Sequence, residues 1–159
     1  MPSQNEINQD APSSNEAIEA LPPAYRGGFI RQKNEYQLNM KAVEKLKNYF
    51  DEGYSIAAIF ADWCGDARRA IPVLALLEKE TGKVIPCLGG MTKPPYGSSG
   101  KFWAVPPSPP EVDIFEVKSS PTIIVFDKNG DEIGRIITRP KMTPSVEEEL
   151  VKIIEDSNE

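Results

Sequence analysis

The run Tyr54-Ser55-Ile56-Ala57-Ala58-Ile59-Phe60-Ala61 leads without a gap into Asp62-Trp63-Cys64-Gly65, and no other segment constrains this chain as much. A strand with one face in water alternates apolar and polar residues. A nearly continuous apolar run instead needs cover on both faces, the condition of parallel strands in α/β folds. The flanks supply helical cover. Upstream, Ala42, Val43, Leu46, Tyr49 and Phe50 recur at three- and four-residue spacing with Lys41, Glu44, Lys45, Lys47 and Asn48 between them. This pattern predicts a helix from about residue 35, stopped by Gly53. Downstream, Ala70, Ile71, Val73, Leu74 and Leu77 form the apolar side of a second helix over roughly 65–80, which Gly82 ends. Pro72 lies inside it and is expected to kink it, since proline lacks the backbone donor and crowds the preceding turn.

Three further elements follow. Val84-Ile85-Pro86-Cys87-Leu88 predicts a short strand at an edge or with a bulge, because Pro86 has no N–H for a ladder. Thr122-Ile123-Ile124-Val125-Phe126 and Glu132-Ile133-Gly134-Arg135-Ile136-Ile137 flank a turn containing Asn129-Gly130, a hairpin signature. The last helix is expected to open at Thr143 as N-cap with Pro144 in the first helical position, and to bury Val146, Leu150, Ile153 and Ile154. Strands alternating with helices and closing in an antiparallel pair predict an α/β fold with a mixed central sheet, helices on both faces and a C-terminal hairpin plus helix.

Residues 1–23 are rich in Ser, Asn, Gln, Glu and Pro with few large apolar residues, and are expected to form a flexible acidic and polar tail ahead of a domain at 24–159. Within the domain, 89–110 holds four glycines and six prolines. A loop of that length is either an excursion packed by its own aromatics, with Tyr96, Phe102 and Trp103 as pins, or a recognition lid.

Composition removes several chemistries. The chain has no histidine, which excludes Ser-His and Cys-His nucleophile pairs and histidine metal sites. Two cysteines, Cys64 and Cys87, are too few for a four-thiolate metal site or a disulfide scaffold, so no metal and no cofactor are expected. The formal net charge of −6 argues against nucleic acid or an anionic membrane as partner. The polar start Met1-Pro2-Ser3-Gln4-Asn5-Glu6 has no basic and apolar leader pattern, and no apolar run reaches the roughly 18 residues of a membrane span. A cytoplasmic protein with reduced thiols is the expectation.

Cys64 carries the chemistry. It stands where a buried strand ends and a helix begins, so its sulfur faces unpaired backbone N–H groups and the positive end of the helix dipole. Both favour the thiolate, as do Arg68 and Arg69, whereas Asp62 and Asp66 oppose it; a moderately lowered pKa and a reactive nucleophile are expected. The alternative is an inert small hydrophobe. Cys87, one strand over, is either a buried structural thiol or a second thiol that resolves a mixed disulfide on Cys64. A direct bridge needs Cα atoms within about 7 Å.

Trp63-Cys64-Gly65-Asp66-Ala67 resembles the thioredoxin active-site motif Trp-Cys-Gly-Pro-Cys. Pro72 matches the helix proline of that family, and Ser120-Pro121-Thr122 resembles its cis-proline segment ahead of the hairpin. The resemblance covers roughly residues 30–156 and implies a thioredoxin-like fold. It further implies that Trp63, Gly65, Asp66, Ser120, Pro121 and Thr122 contact the substrate, with the Ser120 backbone beside Cys64 binding an extended chain. The departures are Ala67 in place of the second cysteine, Asp66 in place of the motif proline, Ala58 in place of the buried acid, and Arg139 near the family's hairpin glycine. The first two-electron attack survives these changes and the resolving step does not. The resemblance therefore implies a monothiol redox protein in which Cys64 forms mixed disulfides with protein or low-molecular-weight thiols. The alternative is a non-catalytic protein-binding module of the same fold. Trp63 and Asp66 do not match monothiol relatives that share an iron–sulfur cluster. Nothing in the sequence sets the oligomeric state.

Overall fold

The structure is a computed structural model and describes residues 2–95 and 102–159. Tyr96, Gly97 and Gly100 of the Pro/Gly-rich loop lie outside the described residues. Four strands, β1 (Ser55–Ile59), β2 (Cys87–Leu88), β3 (Thr122–Phe126) and β4 (Glu132–Ile137), form one sheet in the order β2-β1-β3-β4. β1 and β2 are parallel, while β1–β3 and β3–β4 are antiparallel, so the sheet is mixed. Six α-helices surround it: α1 (Ser14–Glu19), α2 (Pro23–Glu35), α3 (Met40–Asp51), α4 (Gly65–Thr81), α5 (Glu111–Ile114) and α6 (Val146–Ser157).

The apolar run of β1 has the double cover that its composition demands. Ile56 and Ala58 face a core with Ile123, Val125 and Ile136 of the hairpin and the apolar stripes of α1, α2, α3, α4 and α6. Ala57 and Ile59 face the opposite core with Ile124 and Phe126. The pairings Ala57↔Ile124 and Ala58↔Ile123 keep these two sets in phase, as a period of two requires. Five helices pack on the first face. Among the described residues the second carries α5, and the rest of its cover is irregular chain, including Met91, Trp103, Phe115 and Val117. Each large apolar side chain so buried contributes roughly 1.5–3 kcal/mol. α6 lies so close to β4 that a Cβ on Gly134 would stand 2.7 Å from Ile153 Cγ2, which is why the strand has glycine there.

Several element boundaries differ from expectation for local reasons. α3 starts at Met40 because the Asn39 side chain accepts from the amides of Lys41 and Ala42. α6 starts at Val146 with Ser145 as its cap, and Thr143 is instead tied to Glu149, which also accepts from the amides of Lys141 and Met142. α4 continues through buried Pro72. β2 keeps only two residues and is an edge strand.

The loose tail expected at 1–23 is the main correction. Gln4 N donates to Gly130 O in the hairpin turn (2.8 Å), Ile7 enters the second core, and α1 is closed by a capping box between Ser13 and Glu16. Ile18 and Leu21 are buried in the first core. Glu78 of α4 accepts from the backbone amides of Ser14, Asn15 and Ile85 at 3.1, 3.0 and 2.7 Å. A polar segment is thus ordered by a few well-placed apolar residues and by carboxylates that satisfy its N–H groups.

Candidate functional site

β1, an interior strand, delivers the chain to a tight turn at its C-terminal end. Ala61 is fully buried, its amide donates to Ser120 Oγ (2.8 Å), and Cys64 N donates back to Ala61 O (3.1 Å). The turn leaves Cys64 as N-cap of α4, with extended backbone (φ −80°, ψ 127°) and its carbonyl accepting from Arg68 N. The Cys64 side chain is half-buried and makes no capping bond; its thiol donates to Ser120 O at 3.2 Å. The sulfur therefore sits at the positive end of a 17-residue helix, against the segment that precedes β3.

That segment is held from three sides. The Ser120–Pro121 peptide bond is cis. Thr122 Oγ1 donates to Ser119 O (2.7 Å), and Pro121 O accepts from Thr138 N (2.9 Å). Ser120 thus touches the active turn twice, through its hydroxyl at Ala61 and its carbonyl at Cys64. The hydroxyl contact has no signal in the sequence, because any small polar residue fits the local pattern.

Trp63 is 46 % exposed beside the thiol. Its ring lies 6.3 Å from that of Trp103, and Lys93 Nζ lies 5.1 Å from its centroid, within cation–π range. Trp103 is itself fixed by donation from Nε1 to Lys118 O (3.2 Å), so one pin of the long loop forms a wall of the site, while Phe102 stays exposed. Asp62 is tied to the long loop: its carboxylate accepts from Gly90 N (3.2 Å). A Cβ on Gly89 would meet Asp62 Oδ1 at 2.9 Å and Phe60 Cζ at 3.2 Å, so the loop passes there only as glycine. The sequence offers Trp103 only as a pin of the loop, and gives Lys93 no role, because the fold-back that sets both beside Trp63 is a tertiary event.

Asp66, in the first turn of α4, accepts from Arg69 Nη1 (3.2 Å) and from Arg139 Nη2 (3.3 Å) on the same oxygen. These three residues line a groove of about 480 Å³ with Tyr36, Val73, Pro140 and Val146. Ala67 and Ala58, at the positions that departed from the motif, are fully buried.

Cys87 is buried where Cys64 is half-exposed. Both cysteines are free. Cys87 pairs with Ala58 in the sheet, six positions before Cys64 in the chain, and has no exposed surface. Its sulfur meets Ser14 Oγ at 3.0 Å. Burial pushes its pKa up to about 12. A resolving thiol must ionise and reach the mixed disulfide, and this one is sealed in the core as a protonated side chain. Among the described residues, no group of three or more Cys, Asp or Glu side chains is arranged to hold a metal, and no helix is long and apolar enough to cross a membrane.

A family model described as thioredoxin matches residues 11–85. The thioredoxin of Chlamydia pneumoniae is 30% identical over 94 residues, covering 59% of this chain and 78% of that protein. The thioredoxin of Chlamydia caviae is 27% identical over 96 residues, covering 60% and 79%. A crystal structure of a protein of unknown function from Pseudomonas aeruginosa superposes with a TM-score of 0.69 at 13% identity over 99% of both chains. An HIV epitope-scaffold superposes with a TM-score of 0.67 at 12% identity, over 98% of this chain and 99% of its own. At such identities the two structures speak for the fold, including its N-terminal segment.

Proposed function

Since the chain belongs to the thioredoxin family, we propose that it works as a monothiol redox protein with Cys64 as its nucleophile. The observation that carries the reading is the position of one accessible sulfur at the start of α4, beside the Ser120 carbonyl, with a buried alanine in the place of a second thiol. The Cys64 thiolate attacks one sulfur of a disulfide R–S–S–R′. A bond forms between Cys64 Sγ and S–R, the S–S bond of the substrate breaks, and R′S⁻ departs with the electron pair and is protonated by water. An external thiol then attacks the mixed disulfide, releases R–SH and restores Cys64. Trp63, Gly65 and Asp66 border the approach, and the Ser120 carbonyl beside the thiol is the acceptor that an extended substrate would meet, with Pro121 and Thr122 buried behind it and Thr122 paired to both β1 and β4. The partner is a protein or small-molecule disulfide, and dependence on an external thiol suits a reducing compartment such as the cytoplasm.

The test is mixed-disulfide formation with a small neutral disulfide, followed by mass spectrometry. Cys64→Ser abolishes the adduct and Cys87→Ser retains it; an adduct that persists in Cys64→Ser refutes the proposal. Dithiol-driven insulin reduction is expected to turn over poorly, for want of a resolving thiol. The second reading, a binding module without catalysis, draws on the exposed ring of Trp63 beside Trp103. It requires the wild-type protein to form no adduct.

A further inference from the structure

We infer that Arg69 and Arg139 make the Cys64 site selective for disulfides that carry a carboxylate close to the sulfur, an inference that rests on Cys64 being the nucleophile. The two guanidiniums share one oxygen of Asp66, at 3.2 and 3.3 Å, so a single negative charge serves two positive ones. Their side chains are otherwise turned to solvent, 68 % and 67 % exposed, and both line the groove of about 480 Å³ that begins two residues from the sulfur. Each retains N–H groups in the planar fork that matches a carboxylate.

The charge around the thiol runs against that of the chain. Arg68 extends across α2, where a Cβ on Gly28 would strike its Cδ at 2.6 Å, and Lys93 stands over Trp63. Arg68 and Arg69 in the first turns of α4, Arg139 on Asp66 and Lys93 over Trp63 thus sit on the residues that flank Cys64, in a protein of formal net charge −6. Glu35 of α2 lines a pocket with Arg68 and Arg69, and the other acids of the neighbouring elements keep their charge but are held by donors of their own. Asp62 holds the Gly90 amide, Glu147 accepts from Tyr36 Oη (2.7 Å) and Asn39 N (2.8 Å), and Glu148 accepts from Ser145 Oγ (2.8 Å).

A carboxylate-bearing disulfide gains twice from this rim. Its approach to a negative protein is steered locally. During attack, charge moves from the Cys64 sulfur to the departing sulfur, and fixed guanidiniums offset the repulsion between that charge and the substrate carboxylate. The electron count is that of the exchange already described: one S–S bond forms, one breaks, and a thiolate leaves. The groove also has room for a short peptide-like substituent beyond the disulfide.

The experiment measures single-turnover adduct formation by the full chain with three matched aliphatic disulfides: dithiodipropionic acid, hydroxyethyl disulfide and cystamine. Each rate is divided by the rate of the same disulfide with mercaptoethanol. At low salt the normalised dianion-to-dication ratio is expected to exceed about 10, and to fall towards one as salt screens the rim. Arg139→Gln lowers the ratio about 3- to 5-fold, and Asp66→Asn, which frees both guanidiniums, raises it. A wild-type protein that reacts with all three at one normalised rate, or a ratio unmoved in both variants, overturns the inference while leaving Cys64 a nucleophile. A protein that reacts with none overturns both. Peptide disulfides flanked by Glu or by Lys form a second arm. A preference for the Glu peptide over the small dianion points to a protein segment, the opposite order points to a small acidic thiol, and either order upholds the carboxylate requirement. A faster Lys peptide overturns it.

Discussion

Cys64 and Cys87 are the same side chain in two environments. Cys64 caps α4 half-exposed, with its thiol on a backbone carbonyl and two arginines one turn away. Cys87 lies in edge strand β2 with no surface in contact with solvent. What seals it is the N-terminal segment. Cys87 N donates to Pro12 O (2.9 Å), Ser13 bridges Pro86, and Ser14 covers the sulfur. An edge strand left open would expose unpaired backbone and an oxidisable thiol together; residues 12–14 remove both liabilities. The difference teaches that reactivity here is assigned by the backbone around each sulfur rather than by the count of cysteines.

The largest test of that contrast is alkylation. At pH 8 a thiol with pKa near 12 is ionised about 10³-fold less than an ordinary free thiol, before any steric barrier is added. Iodoacetamide followed by peptide mapping should modify Cys64 alone in the native protein and both residues after denaturation. Comparable native labelling of the two would erase the distinction.

A second test uses pH on stability. The pKa of Cys87 is raised on folding, so its contribution is fully present below the unfolded-chain value of about 8.5 and is lost as pH climbs towards 12. Each unit in that window removes up to about 1.4 kcal/mol, because the unfolded chain releases a proton that the folded chain retains. Tyr36, also raised by burial and by its bond to Glu147, adds to the decline only above its ordinary value of 10. Between pH 8.5 and 10 Cys87 accounts for the decline that its removal should abolish, with Tyr49, raised by burial, adding near 10 and Lys33, lowered by burial, opposing it. Cys87→Ala should flatten it in urea titrations while lowering stability at neutral pH by about 1–2 kcal/mol, the cost of a small buried cavity.

The same contrast explains what the sequence disclosed. The position of Cys64 was legible because it follows from neighbours in the chain: an unbroken apolar run, a turn and a helical period. The four strands and the helices that become α3, α4 and α6 were legible for the same reason. The closure of β2 was not. Residues 1–23 read as tail by composition, yet Ile7, Ile18 and Leu21 find cores, and Glu78 and Glu111 accept backbone donors of this segment from far along the chain. α2, with an apolar pattern too weak to announce itself, is helical because it packs on α4. The Asp66–Arg139 contact spans 73 positions and has no local trace.

The smallest test separates the two serines that accompany the two thiols. Ser14 Oγ has one proton and two neighbours, Ile85 O at 2.7 Å and Cys87 Sγ at 3.0 Å. A carbonyl only accepts, so the hydroxyl donates to Ile85 and receives the S–H of Cys87. Ser14→Ala leaves both without a partner in a dry site, and is expected to cost about 1–2 kcal/mol of stability in urea. Ser120 is built differently. Its hydroxyl accepts from Ala61 N, but the group that receives the Cys64 thiol is its backbone carbonyl, which survives truncation to alanine. Ser120→Ala should thus lose a similar amount of stability and keep the rate of Cys64 alkylation within about twofold, since the thiol's acceptor remains. A large change in that rate would mean that the hydroxyl, and not the carbonyl, governs the sulfur, and the two sites would be more alike than their geometry states.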